Sequence, residues 1–265
     1  MDARLRHFGI WLFICLTCGH LSAQQMPWSR LSEDTIYYGR DYLPGQFLIS
    51  HSGPAQAWDF RSLKAPYALS RRIIPSGEHD GTSYANLVNG KQTDAIMTLN
   101  GKNAEVVQVM ENNPVCPGGR LTYNLTPAYK PFFNGVLGEA YTYRGKMTSV
   151  FAWPRNMTCH WSPAALPDSC RITISITEEN VVDAEGSLYL PTEISHVYRH
   201  KIIERRALRI ETRTGKIWTD VTSQVPGIRL LTTEHYLRFL AAGSGLQLVE
   251  VMLDELEKPV RVEFK

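Results

Sequence analysis

Nowhere along this chain do apolar residues recur with the 3.6-residue period of an amphipathic helix over three turns, which removes the helical layers that an α/β enzyme packs on its sheet. Past the first 23 residues there is also no run of about 20 apolar residues, so no helix long enough to cross a bilayer is expected. A charge excess is missing too: the formal net charge is +2, with 20% charged and 43% hydrophobic residues, ordinary globular values that carry no nucleic-acid footprint. The one basic cluster, Arg199, Lys201, Arg205, Arg206 and Arg209, is interleaved with Glu204 and Glu211 and reads as a solvated strand face.

Motifs of chemistry are equally scarce. No Gly-x-Ser-x-Gly elbow surrounds a serine, although His51-Ser52 and His79-Asp80 supply base and nucleophile types. Past the first 23 residues there is no Cys-x-x-Cys pair for structural zinc, and His196 and His200, four apart in a strand, stand about 13 Å from each other, too far for one ion. Asp183 and Glu185 lack the ligand series of a calcium loop, and Glu178-Glu179 and Asp254-Glu255 read as solvated strand ends without the spacing of a glycosidase pair. The expectation is no catalytic residue, no metal and no cofactor.

What is present begins with a secretory signal. Arg4 and Arg6 precede an apolar stretch from Phe8 to Cys18, and Leu21-Ser22-Ala23 forms a small-residue cleavage site, so residues 1–23 are read as a signal peptide and the mature chain as starting at Gln24. Residues 24–265 then form one β-rich domain of about 240 residues. Cys15 and Cys18 leave with the signal, and of Cys116, Cys159 and Cys170 the expected disulfide is Cys159–Cys170, across a short loop of Pro, Ser, Ala and Asp in an oxidising compartment.

Strand signals cover the rest. Thr93–Leu99 and Ala104–Met110 flank Asn100-Gly101 and predict a hairpin, and Ile172, Ile174 and Ile176 alternate on one face. Asp183-Ala-Glu-Gly186 predicts a turn, followed by Leu188 and Leu190 in strand period, Pro191 as a stop, and a long strand through Val197, Ile202 and Ile210. Residues 64–90 have little periodicity and read as a surface excursion. Leu230–Leu240, Leu246–Leu253 and Val260–Phe264 end the chain as strands. The fold expected is all-β, mostly antiparallel and β-sandwich-like with Pro/Gly-rich loops, its core shared by Ile172, Ile174, Ile176, Leu188, Leu190 and Val249.

The segments Gln56-Ala-Trp-Asp-Phe-Arg-Ser-Leu63, Asp183-Ala-Glu-Gly-Ser-Leu-Tyr-Leu-Pro-Thr192, Glu234-His-Tyr-Leu-Arg-Phe239 and Leu246-Gln-Leu-Val-Glu-Val251 together resemble a secreted β-domain of Bacteroidetes envelope proteins. The resemblance spans most of the mature chain. It implies lineage, export to the periplasm, outer membrane periphery or exterior, and fold; it implies no activity. His196-Val-Tyr-Arg-His-Lys201 and Ala242-Gly-Ser-Gly245 depart from the family pattern, and no sorting domain for type IX secretion follows Lys265. The same resemblance suggests an O-glycan on Thr35, within Asp34-Thr35-Ile36. Phe132, Phe133 and Trp161, set among prolines, are the candidate binding aromatics. The function expected is an exported non-catalytic module that binds an envelope protein or glycan through its loops. A hydrolase with a site assembled from distant loops is the alternative.

Overall fold

The computed structural model describes residues 35–42, 49, 51–80, 82–100, 103–116, 118–131, 135–154, 159, 161 and 166–265. Its strands are β1 (Ile36–Asp41), β2 (Gly53–Asp59), β3 (Tyr67–His79), β4 (Thr82–Asn89), β5 (Gln92–Asn100), β6 (Asn103–Asn112), β7 (Arg120–Tyr129), β8 (Ala140–Ala152), β9 (Ser169–Tyr189), β10 (Ile194–Thr214), β11 (Ile217–Asp220), β12 (Leu231–Ala241), β13 (Gln247–Leu253) and β14 (Pro259–Phe264). Twelve of them close an antiparallel barrel in which strands next to each other in the ring are nearly always next to each other in the chain. The first strand seals it against the last: Gly39 faces Phe264 and Asp41 faces Val262 in the β1–β14 pair. β11 pairs with the end of β10, and β2 runs parallel to β9, taking its edge from Ala184 to Tyr189.

The sandwich expectation is therefore corrected to a closed barrel, while the all-β reading holds. Alternation predicts that one strand face is buried, and it is silent on whether that face meets a second sheet or the opposite wall of its own. Residues 64–90, read as an excursion, supply β3 and β4. β8 runs straight through Arg144-Gly145-Lys146, a turn-type sequence.

The turn expected at Asp183–Gly186 also lies within a strand, because β9 runs unbroken for 21 residues and the reversal comes after it, where Leu190 N–H donates to Glu193 O. The two turn-type residues have other uses. Asp183 sits at a bulge and accepts a bidentate pair of bonds from the buried Arg199 guanidinium at 2.8 and 2.7 Å. Gly186 lets β2 approach: a Cβ there would come within 2.0 Å of the Gln56 carbonyl oxygen. Pro191 does end the strand, as expected.

Two large cores result, with a small third cluster of Ile73, Ala85 and Met97 on β3, β4 and β5. On β8 and β9 the apolar face looks inward, so Met147, Ile172, Ile174 and Ile176 pack with Tyr123, Tyr143, Trp153 and Ile210 inside the barrel. On β12 to β14 the apolar face looks outward: Leu237, Phe239, Val249, Val251, Val262 and Phe264 are covered by Trp58, Phe60 and Leu63 from β2 and the segment after it. Leu188, Leu190 and Val249 are buried as expected, but in the outer cluster rather than with the isoleucines.

The disulfide is corrected as well. Cys116 is bonded to Cys159, and Cys170 is a free, buried thiol. In an antiparallel meander alternate connections emerge at the same end, so the segment after β6 that carries Cys116 meets the segment after β8 that carries Cys159. Cys170 belongs to β9 and points into the inner core.

Candidate functional site

The charged face of β12, β13 and β14 is turned inward, opposite the covered apolar face behind it. Alternating with Leu237 and Phe239 are Glu234, Tyr236 and Arg238; alternating with the valines of β13 and β14 are Glu250, Arg261 and Glu263. Neighbouring β1 and β3 add Arg40 and Arg71, both of which donate to Glu263, at 2.5 and 2.6 Å. Arg238 donates to Glu250 at 2.7 Å.

Some bonds cross the barrel. Arg206 on β10 reaches Glu111 on β6 at 2.8 Å, although β7, β8 and β9 separate the two along the wall, and it also donates to Glu204 at 2.6 Å. The basic cluster read as a solvated face is thus split: Arg205 and Arg209 are exposed, whereas Arg206 and Arg199 point to the interior or are fully buried. Tyr129 donates to Glu178 at 3.0 Å, and Tyr236 donates to Glu234.

Electrostatics follow from enclosure. Glu178, accessible over 3% of its surface, has its carboxyl pushed above the ordinary range by burial, which outweighs the attraction of Arg238 and the Tyr129 hydrogen bond. Glu250 moves the other way, because Arg238 and its hydrogen bond overcome the burial penalty. The phenols of Tyr123, Tyr129 and Tyr236 are raised by burial and by nearby carboxylates, so at neutral pH each keeps its proton. Arg238 keeps 30% of its side-chain surface accessible, and Arg206 31%. Both lie on the inward face of the wall, and a ring of twelve strands exceeds the width that side chains fill, leaving internal space.

One such space is a cavity of about 130 Å³ between the inner apolar core and the charged belt. Pro114, Ile174, Leu208 and Leu230 line it together with the polar Glu111, Asn112, Arg206, Arg229 and Thr232, and the fully buried Tyr123 borders it. Among the described residues the Tyr123 hydroxyl, itself buried, has no hydrogen-bond partner.

Of the residues singled out from the sequence, Trp161 is half-buried, its ring edge-on to Trp153 at 5.7 Å. Phe132 and Phe133 lie outside the described residues, as do the signal peptide and Gln24. Thr35 stands directly before β1 and is half-buried. His196 packs against Tyr198, and His200, buried on the same strand, contacts Asn180 at 3.0 Å. His79 and Asp80 pair at an exposed tip, and Ser52 donates to Asp183. Glu178 and Glu179 point to opposite faces, Glu179 meeting Arg205 outside. Among the described residues no group of three or more His, Cys, Asp or Glu is placed to hold a metal ion. The interior residues were missed because their signal, charges at period two opposite an apolar strand face, is the same signal that marks a solvated face.

Comparison with protein-family models, with curated proteins and with solved structures finds no match to this chain.

Proposed function

We propose that this chain is an exported, non-catalytic binding module that holds a small ligand inside its barrel. The observation that carries the reading is the accessible surface of Arg238, paired with Glu250 on the inward face of a closed barrel. Fixed polar groups set against apolar walls are the composition of ligand pockets, which use a few placed charges for orientation. Export is supported by the leader-like N-terminus and the Cys116–Cys159 bridge, and the resemblance to secreted envelope domains points the same way. Most outward residues of β8 and β9, among them Arg144, Lys146, Thr173, Thr177 and Glu179, are polar, unlike the apolar lipid-facing belt of a membrane barrel.

Native mass spectrometry of protein purified from its own envelope tests this. A non-covalent small molecule is expected on the wild type and not on Arg238→Met/Glu250→Leu, a double change that removes the pair together and so leaves no buried charge alone. Partner binding that survives the double change, or turnover of a substrate, refutes it.

A second reading, a glycan on the outside, rests on a groove of about 570 Å³ lined by His79, Tyr84, Thr98, Gln108 and Asn124. Its Gln108 and Asn124 amides bond each other at 2.7 Å and present the remaining donors and acceptors outward. Glycan binding lost on Tyr84→Ala but kept in the interior double variant would favour it.

A further inference from the structure

We infer that the inward wall formed by β14, β1 and the start of β3 is a binding site for a small phosphate monoester that carries a ring, an inference that rests on interior binding and names its ligand class. Arg40, Arg71 and Arg261 converge there on one carboxylate: Glu263 accepts from Arg40 at 2.5 Å and from Arg71 at 2.6 Å, and lies 3.7 Å from Arg261. The neighbouring carboxylate, Glu250, is already bonded to Arg238 at 2.7 Å, with Arg261 at 3.6 Å from it. Once Arg238 and Glu250 are set against each other, three guanidiniums share a single negative charge, and the wall carries an excess of two positive charges. The carboxylate is also the deeper partner. Glu263 keeps 2% of its side-chain surface accessible and the three arginines keep 22% to 28%, so the accessible surface of the cluster is guanidinium. Most of its donors are unspent: Arg71 gives one of five N–H groups to Glu263, and the Arg261 guanidinium is within hydrogen-bond distance of neither carboxylate.

The charge excess sets how much negative charge the ligand brings, and the convergence sets how that charge is arranged. Three guanidiniums gathered on one carboxylate call for both charges at one point, as a phosphate monoester supplies and a long dicarboxylate does not, and guanidinium forks match phosphate oxygens two at a time. Beside them stand two exposed rings. Tyr67 is paired with Arg40 across β1 and β3, the Tyr42 hydroxyl accepts from Arg40 at 2.9 Å, and the two rings meet edge-on at 5.5 Å. Because β1 ends at Asp41 and β3 begins at Tyr67, both stand at the rim of the barrel, where the ring of an ester packs against them while its phosphate reaches the arginines. A cation is repelled by this wall, and an uncharged ligand leaves its excess charge unmatched.

Calorimetric titration of the full mature protein with phenyl phosphate, phenyl sulfate and methyl phosphate tests the assignment. The first two share a shape and differ by one charge at neutral pH, whereas methyl phosphate keeps the charge and lacks the ring. Wild type is expected to bind phenyl phosphate about tenfold tighter than phenyl sulfate and about two- to tenfold tighter than methyl phosphate. At pH 5, below the second phosphate ionisation at about 6, the difference from phenyl sulfate is expected to vanish. Arg261→Gln, which leaves Glu263 its bonds from Arg40 and Arg71, is expected to cut that difference by about threefold or more, and Tyr67→Ala to cut the preference over methyl phosphate, with circular dichroism confirming that each variant is folded. Equal binding of phenyl phosphate and phenyl sulfate at neutral pH, a preference that persists at pH 5 or in Arg261→Gln, or a ring preference that Tyr67→Ala leaves unchanged overturns the assignment. If none of the probes binds but native mass spectrometry finds another molecule that depends on Arg238 and Glu250, this inference fails and interior binding stands; if neither is seen, both fail.

Discussion

Ile172 and Ile174 occupy the same strand face two residues apart, yet replacing each by Ala is expected to cost different amounts. Both are buried, with 0% and 7% of their surface accessible. Removing three carbons forfeits roughly 0.8 kcal/mol for each in transfer free energy, about 2.4 kcal/mol in either case. The second contribution is the void left behind, about 24 cal/mol per Å³ where the surroundings do not relax. Ile172 packs in the closed part of the inner core, so a new void of some tens of Å³ brings the total to about 4 kcal/mol. Ile174 already lines the 130 Å³ cavity on one side and has fewer atoms to lose contact with, so the total is about 2 to 3 kcal/mol. Urea unfolding at constant m-value measures both. Equal costs, or Ile174→Ala the costlier of the two, would refute the placement of the cavity beside Ile174.

Glu178→Gln is expected to raise the melting temperature at neutral pH and to lose that advantage near pH 4. The raised folded-state value means that stability is fully present below the ordinary carboxylate value of 4.5 and is lost as pH rises through the folded value, a loss that Gln does not suffer; an advantage that grows on acidification would contradict it. Gly186→Ala is expected to push β2 off β9 and cost about 1 to 3 kcal/mol, since the added Cβ meets backbone rather than a movable side chain; protease sensitivity of residues 51–60 unchanged from wild type would count against that. Peptide mapping without reduction is expected to find Cys116 joined to Cys159, a bridge spanning 43 residues and worth about 4 kcal/mol in the chain-entropy account. Cys170, whose thiol burial pushes up to about 12, is expected to resist iodoacetamide at pH 8 until the protein unfolds, and fast native alkylation would place it at the surface instead.

Much of the strand content was legible. The β5–β6 hairpin around Asn100-Gly101, the isoleucine alternation in β9, the stop at Pro191 and the three final strands are local events of period two and turn chemistry, and the structure places each where those signals do. Residues 64–90 escaped because β3 carries Pro75 and Gly77 at a bulge and exposes most of its length, so no periodicity was there to read. Asp183 and Gly186 misled for a related reason: both residue types serve turns, and here one holds Arg199 and the other admits β2.

The candidate site was not legible, and the reason is geometric. Sequence by itself determined that the chain is all β, where most strands lie, and that each strand has one apolar and one polar face. It had no means of saying which face is inside. On β9 the isoleucines look into the barrel; on β12, β13 and β14 the same alternation puts Phe239, Val251 and Val262 outside under Trp58 and Phe60, and turns Arg238, Glu250 and Glu263 inward. Only the tertiary structure decided that, by pairing β1 with β14 and laying β2 along β9. Closure joins strands more than 200 residues apart and converts a polar face that any open sheet leaves in water into the lining of an enclosed space, where its charges must pair across the lumen, as Arg206 does with Glu111.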